Sequence, residues 1–194
     1  MFNFTKSLTE TDLNRAKIKL NLKITDFKKQ HAVKIGLVVA LIDRLPAYHL
    51  TQLREITYDP RQLTIQNPDE RLGHTLLSAK GVYLQHKRMV AIFDTEDQAV
   101  FRHTLYHEIG HHVYFVVIGQ ELKHTWVTAI CRYDSFITDY ASVNAAEDFA
   151  ESYVNYLLAP NELMSIPLKF HFMQEYVFRT KMAVPKPEKL NILI

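Results

Sequence analysis

The feature that most constrains this fold is a pair of histidines in the middle of one long predicted helix. Residues 107 to 111 read His-Glu-Ile-Gly-His, inside a segment from about Glu96 to Ile118 whose apolar spacing predicts a helix. Because side chains at i and i+4 project from the same helical face, His107 and His111 can bind one Zn²⁺ together. Glu108 lies at the flank of the pair, where its carboxylate can reach a metal-bound water but not the ion.

Gly110 stands between the two histidines, although a glycine inside a helix costs roughly 1 kcal/mol relative to alanine. We interpret it as a point where another segment of the protein approaches the helix backbone closely. A surface helix with a polar stripe of histidines is the simpler alternative, since the chain has 10 histidines. The position of the motif in a helix interior, directly after a predicted hairpin, favours the metal site.

A catalytic zinc takes three protein ligands and keeps one position open. We predict that the third ligand is Glu147, in the first turn of a second helix that begins after the N-cap Asn144 and ends near Leu158. Glu151, one turn later on the same face, is expected to hydrogen-bond the other ring nitrogen of a ligand histidine. Alternatively, these acids only stabilise the helix N-terminus, a role that Asp148 can fill alone.

Three more side chains near the motif have two interpretations each. His103, one turn before His107, is either a residue of the cleft rim or a hydrogen-bonding group behind the ligands. His112 faces away from the metal side of the helix, so we predict that it is structural. Tyr140 precedes the second helix and can donate a hydrogen bond to a developing oxyanion, or it is an ordinary core or surface tyrosine, one of 10 in the chain.

This set of residues resembles the catalytic core of the anthrax lethal factor and Pro-Pro endopeptidase family, in which a tyrosine precedes the ligand glutamate by seven positions, as Tyr140 precedes Glu147 here. The resemblance covers roughly residues 80 to 158. It implies a gluzincin, a zinc-dependent endopeptidase, with one Zn²⁺ held by His107, His111 and Glu147. It also implies that Glu108 is the catalytic base and Tyr140 the catalytic tyrosine. The substrate-selecting residues of the Pro-Pro endopeptidases have no clear match, so their preference is not carried over.

Two other functions compete with this one. Residues 147 to 160 also resemble the regulatory peptidases of the ImmA/IrrE type, which would cleave a repressor in the cytoplasm; Leu157-Leu158-Ala159-Pro160 is similar to their ending but lies about one helical turn too far along. The second alternative is a toxin or binding domain of a larger exported protein, whose zinc only docks a partner. Three ligands beside an intact Glu108 argue against a closed structural zinc, which takes four protein ligands.

The order of predicted elements, helices then a small sheet then helices, indicates an α+β fold. We expect a single zincin-like domain with a small mixed sheet, the central motif helix and a mostly helical remainder. Its parts are a helical N-terminal part at about 1–55, a catalytic core at about 56–160 and a C-terminal helix at about 161–194. The predicted helices cover 9–30, 32–44, 46–53, 96–118, 144–158 and 167–181, with strands at 56–58 and 63–65 and a hairpin at 81–93.

Local signals set several predicted boundaries. Thr95 to Gln98 has the spacing of a capping box for the motif helix, and Gly119 is a plausible stop after it. Pro160 is expected to end the second helix, and residues 120 to 143 look less regular. The hairpin would supply an edge strand along which a protein or peptide substrate pairs. Trp126 and Tyr133 either line a pocket or lie in the core.

Composition narrows the class of protein further. The chain has 194 residues, of which 47% are hydrophobic, and a formal net charge of +2, which does not call for nucleic acid as a partner. No run of 18 apolar residues predicts a membrane span. The N-terminus lacks the features of a signal peptide, so we expect a cytoplasmic protein, one exported without such a signal, or a secreted one whose signal was removed. Cys131, the only cysteine, is expected to be a packed small side chain.

Overall fold

The computed structural model describes residues 22–63, 79–132 and 135–179. A four-stranded mixed sheet lies at one side of the fold, in the order β1-β2-β4-β3. Its strands are β1 (Lys23–Thr25), β2 (Glu55–Tyr58), β3 (Gly81–Leu84) and β4 (Met89–Ile92). β1, β2 and β4 run parallel, whereas β3 pairs antiparallel with β4. The predicted hairpin and the small mixed sheet of an α+β fold are therefore present, with β3 at an edge.

Strand β4 differs from the edge strand β3 in its burial. All four residues of β4 are buried, whereas β3 alternates buried and half-buried residues. The helix predicted at 9–30 is wrong over its described end, where β1 pairs with β2 and Thr25 donates a hydrogen bond to Glu55 at 2.7 Å. Pairing with a strand 30 residues away overrides the local helical pattern. Residues 9–21 of that prediction, and 64–65 of the strand predicted at 63–65, lie outside the described residues.

The described residues form six α-helices, and four of these lie where the sequence predicts helices, with shifted ends. The six are α1 (Ile35–Ile42), α2 (Gln98–His112), α3 (Gln120–Thr125), α4 (Ala145–Leu158), α5 (Pro160–Leu163) and α6 (Pro167–Phe172). Three of them continue into wider π-helical turns, at Val113–Val117 after α2, at Trp126–Ile130 after α3 and at Met173–Val177 after α6. Short 3₁₀ helices cover Phe27–Lys29, Ala47–Leu50 and Tyr140–Val143. Helix α3 lies in the segment that the sequence predicted to be irregular.

The ends of α2 correct two predictions. Its N-cap is Asp97, whose carboxylate accepts hydrogen bonds from the N–H groups of Ala99 and Val100; Thr95 is buried instead of capping. Gly119 is not a left-handed stop: its backbone is extended, and it precedes α3. The π turn already ends α2, since the N–H of Ile118 bonds back to a carbonyl five residues earlier.

Helix α4 begins and ends where the sequence predicts. Asn144 caps it with hydrogen bonds to two backbone N–H groups, and the helix stops at Leu158. Pro160 does more than end α4, because it is the first residue of α5. The main hydrophobic core lies between α2, α4 and the sheet, with Phe101, Leu105, Ile109, Phe149, Tyr153, Ile56, Val90 and Ile92 all buried. In the described ranges, no helix is both long and apolar enough to cross a membrane.

Candidate metal centre

The site forms where α2 and α4 pack together, and Gly110 determines how closely they approach. A Cβ atom at this position would lie 3.1 Å from the Cα of Ala150 and 3.4 Å from the Cβ of Tyr153. The first distance is tighter than ordinary contact, and the neighbour is backbone that yields little. The close approach that the sequence predicts at Gly110 is thus a helix–helix contact, which brings α4 up to the histidine face of α2.

Three ligand atoms converge at this contact. The Nε2 atoms of His107 and His111 are 3.1 Å apart, and the Oε2 atom of Glu147 is 3.0 Å from the first and 3.2 Å from the second. In a tetrahedral zinc site with bonds of about 2.0–2.1 Å, donor atoms lie about 3.3 Å apart. Within the described ranges, this is the one group of three such side chains whose atoms are close enough to share an ion.

The charge balance of the three side chains also suits a cation. Glu147 Oε2 is buried and has no hydrogen-bond donor in suitable geometry among the described residues. Burial opposes ionisation of this carboxyl, but its contacts with His107 and His111 outweigh burial and lower its pKa to about 2. Burial likewise opposes protonation of His107, yet its contacts with Glu147 and Glu151 raise its pKa to about 10. A proton and a metal ion therefore compete for the same pair of atoms.

Glu151 holds the first histidine from behind. Its Oε1 atom lies 2.8 Å from Nδ1 of His107. When Nδ1 donates its proton to this carboxylate and the ring is neutral, the lone pair of Nε2 is directed at the ligand cluster. Burial would raise the pKa of Glu151, but His103 and His107 outweigh it and lower the pKa. His103 lies 3.7 Å from the same oxygen, is about half exposed and stacks on the ring of His107. It is a residue of the cleft rim that also contacts Glu151.

Thr138 is a site residue that the sequence analysis missed. Its hydroxyl donates to Oε2 of Glu151 at 2.9 Å and accepts from the backbone N–H of Ala141 at 3.1 Å. It therefore connects the Glu151–His107 pair to the 3₁₀ turn that carries Tyr140. No local pattern marks this threonine, since its partner lies 13 residues along the chain.

Tyr140 lies beside the ligand cluster. Its ring centroid is 5.8 Å from that of His107, and 44% of the residue is exposed. Burial of the hydroxyl, together with Glu147 and Glu108, raises its pKa to about 12. The phenol is therefore protonated at neutral pH and can donate a hydrogen bond into the cleft.

A buried ion pair secures the loop before Tyr140. Lys169 of α6 has an exposed fraction of 0%; its ammonium lies 2.5 Å from Oδ1 of Asp148 and 2.6 Å from the carbonyl oxygen of Ser135. The same ammonium is 4.7 Å from the centre of the Phe136 ring. Asp148 therefore does more than place a negative charge at the start of α4. It binds Lys169, which in turn binds the loop before Tyr140.

Glu108 contacts the edge strand. Burial raises the pKa of its carboxyl, while the neighbouring histidines and the backbone N–H of Tyr83 in β3 oppose that rise. The strand lies this close because Gly81 has no side chain: a Cβ there would be 2.7 Å from Cγ2 of Thr104 and 3.3 Å from Cγ of Glu108. No pattern in the sequence marks Gly81 as part of the site.

Among the described residues, no strand pairs with the outer edge of β3, which runs beside the cleft. The carbonyl of Lys80 accepts a hydrogen bond from the N–H of Phe93 across the hairpin. Because backbone groups alternate in direction along a strand, those of Gly81 and Tyr83 point away from β4. The N–H of Tyr83 meets Glu108, so the backbone groups of Gly81 face the cleft.

One continuous cleft follows this edge past the ligand cluster. Two neighbouring cavities share Gly81, His107, Glu108 and Tyr140 in their walls. One extends towards His103 and Lys80, and the other extends towards His111 and Phe115. An extended chain lying along β3 would pass in front of the three converging atoms.

The remaining candidates lie away from the cleft. His112 is buried, with Nδ1 2.9 Å from the hydroxyl of Tyr83 and Nε2 3.0 Å from the carbonyl of Thr51, so its predicted structural role is confirmed. Trp126 is a core residue whose indole N–H donates to the carbonyl of Ala145. Cys131 is half-buried and forms no disulfide. Tyr133 lies outside the described residues.

A comparison of the sequence with protein-family models, and another with curated proteins, found no match. The likeness to the lethal factor and Pro-Pro endopeptidase family therefore depends on the site residues themselves.

Proposed function

We propose that this chain is a zinc-dependent endopeptidase, a gluzincin that resembles the lethal factor and Pro-Pro endopeptidase family. His107, His111 and Glu147 hold the ion. The observation that carries the proposal is the convergence of three ligand atoms within 3.2 Å of one another, with the buried carboxylate of Glu108 beside them. These features lie in an open cleft along a sheet edge rather than inside a closed core.

A catalytic role is favoured over a structural one by the number of ligands. A structural zinc is usually enclosed by four protein ligands, whereas a catalytic zinc keeps a position for water. Among the described residues, three side chains converge, and the cleft is open on the side of Glu108 and Tyr140.

The chemistry divides among the side chains by position. Zinc in such a site acts as a Lewis acid and makes water a competent nucleophile near neutral pH. Glu108 accepts the proton of the attacking water and passes it to the leaving amine. Tyr140 donates its phenolic hydrogen to the oxyanion of the tetrahedral intermediate. Glu151 keeps the ring of His107 in the tautomer and orientation that ligation requires.

The substrate is an extended polypeptide bound as an additional strand. The outward-facing backbone groups of Gly81 are beside Glu108, so main-chain pairing there would bring a peptide carbonyl to the ligand cluster. In this mode of binding, main-chain hydrogen bonds hold any extended polypeptide. The substrate side chains on either side of the scissile bond then determine which sequences are cleaved.

Two measurements test the proposal. The purified protein should bind close to one zinc per chain after dialysis, and His111→Ala should lose it. Zinc-loaded wild type and Glu108→Gln are then incubated with a diverse peptide library, and the products are identified by mass spectrometry. Cuts made by wild type alone support the peptidase. Zinc binding without cleavage by either protein would favour the alternative in which the site only docks a partner.

A further inference from the structure

The cleft does not end at the ligand cluster on its Phe115 side. Two more cavities adjoin it there, and both share Gln85 and Phe115 with the wall of the metal cavity. Together they form a surface between the tip of the β3–β4 hairpin and helix α3. We call it the hairpin-side surface; its principal residues are His86, Arg88, Phe115, Lys123, His124 and Val127.

The charge of this surface has one sign. Every ionisable side chain of the Lys, Arg, His, Asp or Glu type that lines the two outer cavities is basic, and none of the described residues lining them is Asp or Glu. Glu121 of α3, the nearest acid in the sequence, lines neither cavity. Two of these side chains are an arginine and a lysine, Arg88 and Lys123, so the surface is basic even though burial lowers the pKa of Lys123.

Among the residues that the structure describes, the opposite end of the cleft lacks this excess of positive charge. Lys80 is bound there by Asp94 at 2.5 Å, and His103 faces the carboxylate of Glu151. A substrate that crosses the ligand cluster therefore contacts basic side chains paired with acids at one end of the cleft and basic side chains without such acids among the described lining residues at the other end.

Apolar area accompanies the charge on the hairpin side. Phe115 is 37% exposed, and its ring stacks against that of His111, with centroids 6.3 Å apart. The ammonium of Lys123 donates to the backbone carbonyl of Phe115 at 3.1 Å, which holds this cation beside the exposed ring. Val127 of the following π turn is also exposed. A bulky apolar side chain near the scissile bond can pack here.

The distance along the cleft determines which residues of an extended substrate lie beside the basic side chains of the hairpin-side surface. From Gly81 to Gln85 the hairpin strand advances four residues, about 13 Å at the rise of a strand. We propose that the hairpin-side surface binds an acidic segment of the polypeptide substrate, about three to five residues from the cleaved bond on one side only, next to an apolar residue held by Phe115. This inference rests on the proposed peptidase function and specifies its substrate class.

Matched peptides test it. The two peptides of a pair share the same sequence around the cleaved bond, but one carries Glu and the other Lys at the positions three to five residues from that bond. These positions lie on the N-terminal side of the bond in one series and on its C-terminal side in the other. Binding of labelled peptides to zinc-loaded Glu108→Gln is measured by fluorescence anisotropy, and kcat/KM is measured with wild type. An exposed ion pair contributes up to a factor of about 5, and an acidic segment can form two such pairs, with Arg88 and Lys123. We therefore expect a 5- to 30-fold preference for Glu in one series only, expressed mainly in KM.

Variants attribute the preference to the surface. The double substitution Arg88→Glu/Lys123→Glu should abolish or reverse it, whereas Lys34→Glu, an exposed lysine at the start of α1, should leave it intact. Raising the salt concentration should weaken it in wild type. Equal affinity for Glu and Lys peptides in both series, or a preference that survives the double substitution, would overturn the inference.

The outcome is separable from that of the proposed function. Cleavage without any charge preference upholds the peptidase and removes the acidic substrate class. Charge-dependent binding that the double substitution abolishes, without cleavage by wild type, upholds the surface and removes the peptidase. The absence of both binding and cleavage rejects the two together.

Discussion

Replacement of Gly110 by alanine sets two opposite effects against each other. Alanine inside a helix is favoured over glycine by roughly 1 kcal/mol. The added methyl group, however, would lie 3.1 Å from the Cα of Ala150 and 3.4 Å from Tyr153, both on α4. Relief requires the two helices to separate by a few tenths of an ångström, and such overpacking costs about 1–3 kcal/mol. The net expectation is a loss of between about 0 and 2 kcal/mol.

Gly36 provides the matched control. It also lies in a helix, α1, but a Cβ atom there meets nothing within 4 Å. Gly36→Ala should therefore gain up to about 1 kcal/mol from helix propensity alone. Because both substitutions share that gain, the difference between them isolates the packing at Gly110, and we expect it to be about 1–3 kcal/mol.

Urea unfolding of both variants in the presence of a chelator measures this difference without any contribution from metal. Zinc affinity, measured by competition with a chromophoric chelator, should fall in Gly110→Ala and stay unchanged in Gly36→Ala, since only the first moves Glu147 away from the histidines. If Gly110→Ala is as stable as Gly36→Ala and binds zinc as tightly as wild type, the close helix contact does not shape the site.

Three further outcomes follow from single contacts. Glu151→Ala should weaken zinc binding by about 10- to 100-fold, because His107 loses the acceptor that orients its ring, with Glu151→Gln less affected; equal zinc affinity in all three proteins would refute this. The double variant Lys169→Met/Asp148→Asn, which leaves no unpaired buried charge, should keep its zinc affinity but have a lower kcat. In a Tyr140→Phe background the same double substitution should cause no further loss of kcat. Additive losses would show that the ion pair does not act through the tyrosine. Burial lowers the pKa of His49 to about 4, so the folded state binds this proton less well than the unfolded one, and its share of stability is complete above about pH 6.5 and lost as the pH falls towards 4. The free energy of unfolding is measured at pH 7 and pH 5 with a chelator present to remove metal. Its change between the two pH values should be roughly 2 kcal/mol smaller in His49→Gln than in wild type, and an identical change in both proteins would contradict the assignment.

The local features of the site could be predicted from the sequence because they depend on residues close together in the chain. The spacing of His107 and His111 places both rings on one face of any helix that contains them. Asn144 caps its helix through the next three residues, and the hairpin of β3 and β4 follows from two short β-rich runs around a polar turn. The proposal that Glu147 completes the set used the same local geometry on a second helix.

Where the sequence misled, longer-range contacts or competing local choices explain the error. Lys23–Thr25 is a strand because β2 offers it a partner, not because of its own pattern. Asp97 rather than Thr95 caps α2, and Thr95 is buried. Gly119 reads as a helix stop by residue type, but the π turn before it had already ended α2.

By itself, the sequence indicated the candidates for chemistry: two histidines on one helix face with a carboxylate at their flank, and acids and a tyrosine around the start of another helix. Only the tertiary structure decided how they meet, because those contacts join segments that no local pattern relates. Gly81 lets the edge strand reach Glu108, Thr138 connects the tyrosine turn to Glu151, and Lys169 fixes the loop from a later helix. Chain spacing prescribes directions within one helix, whereas distances between elements arise from packing the whole core.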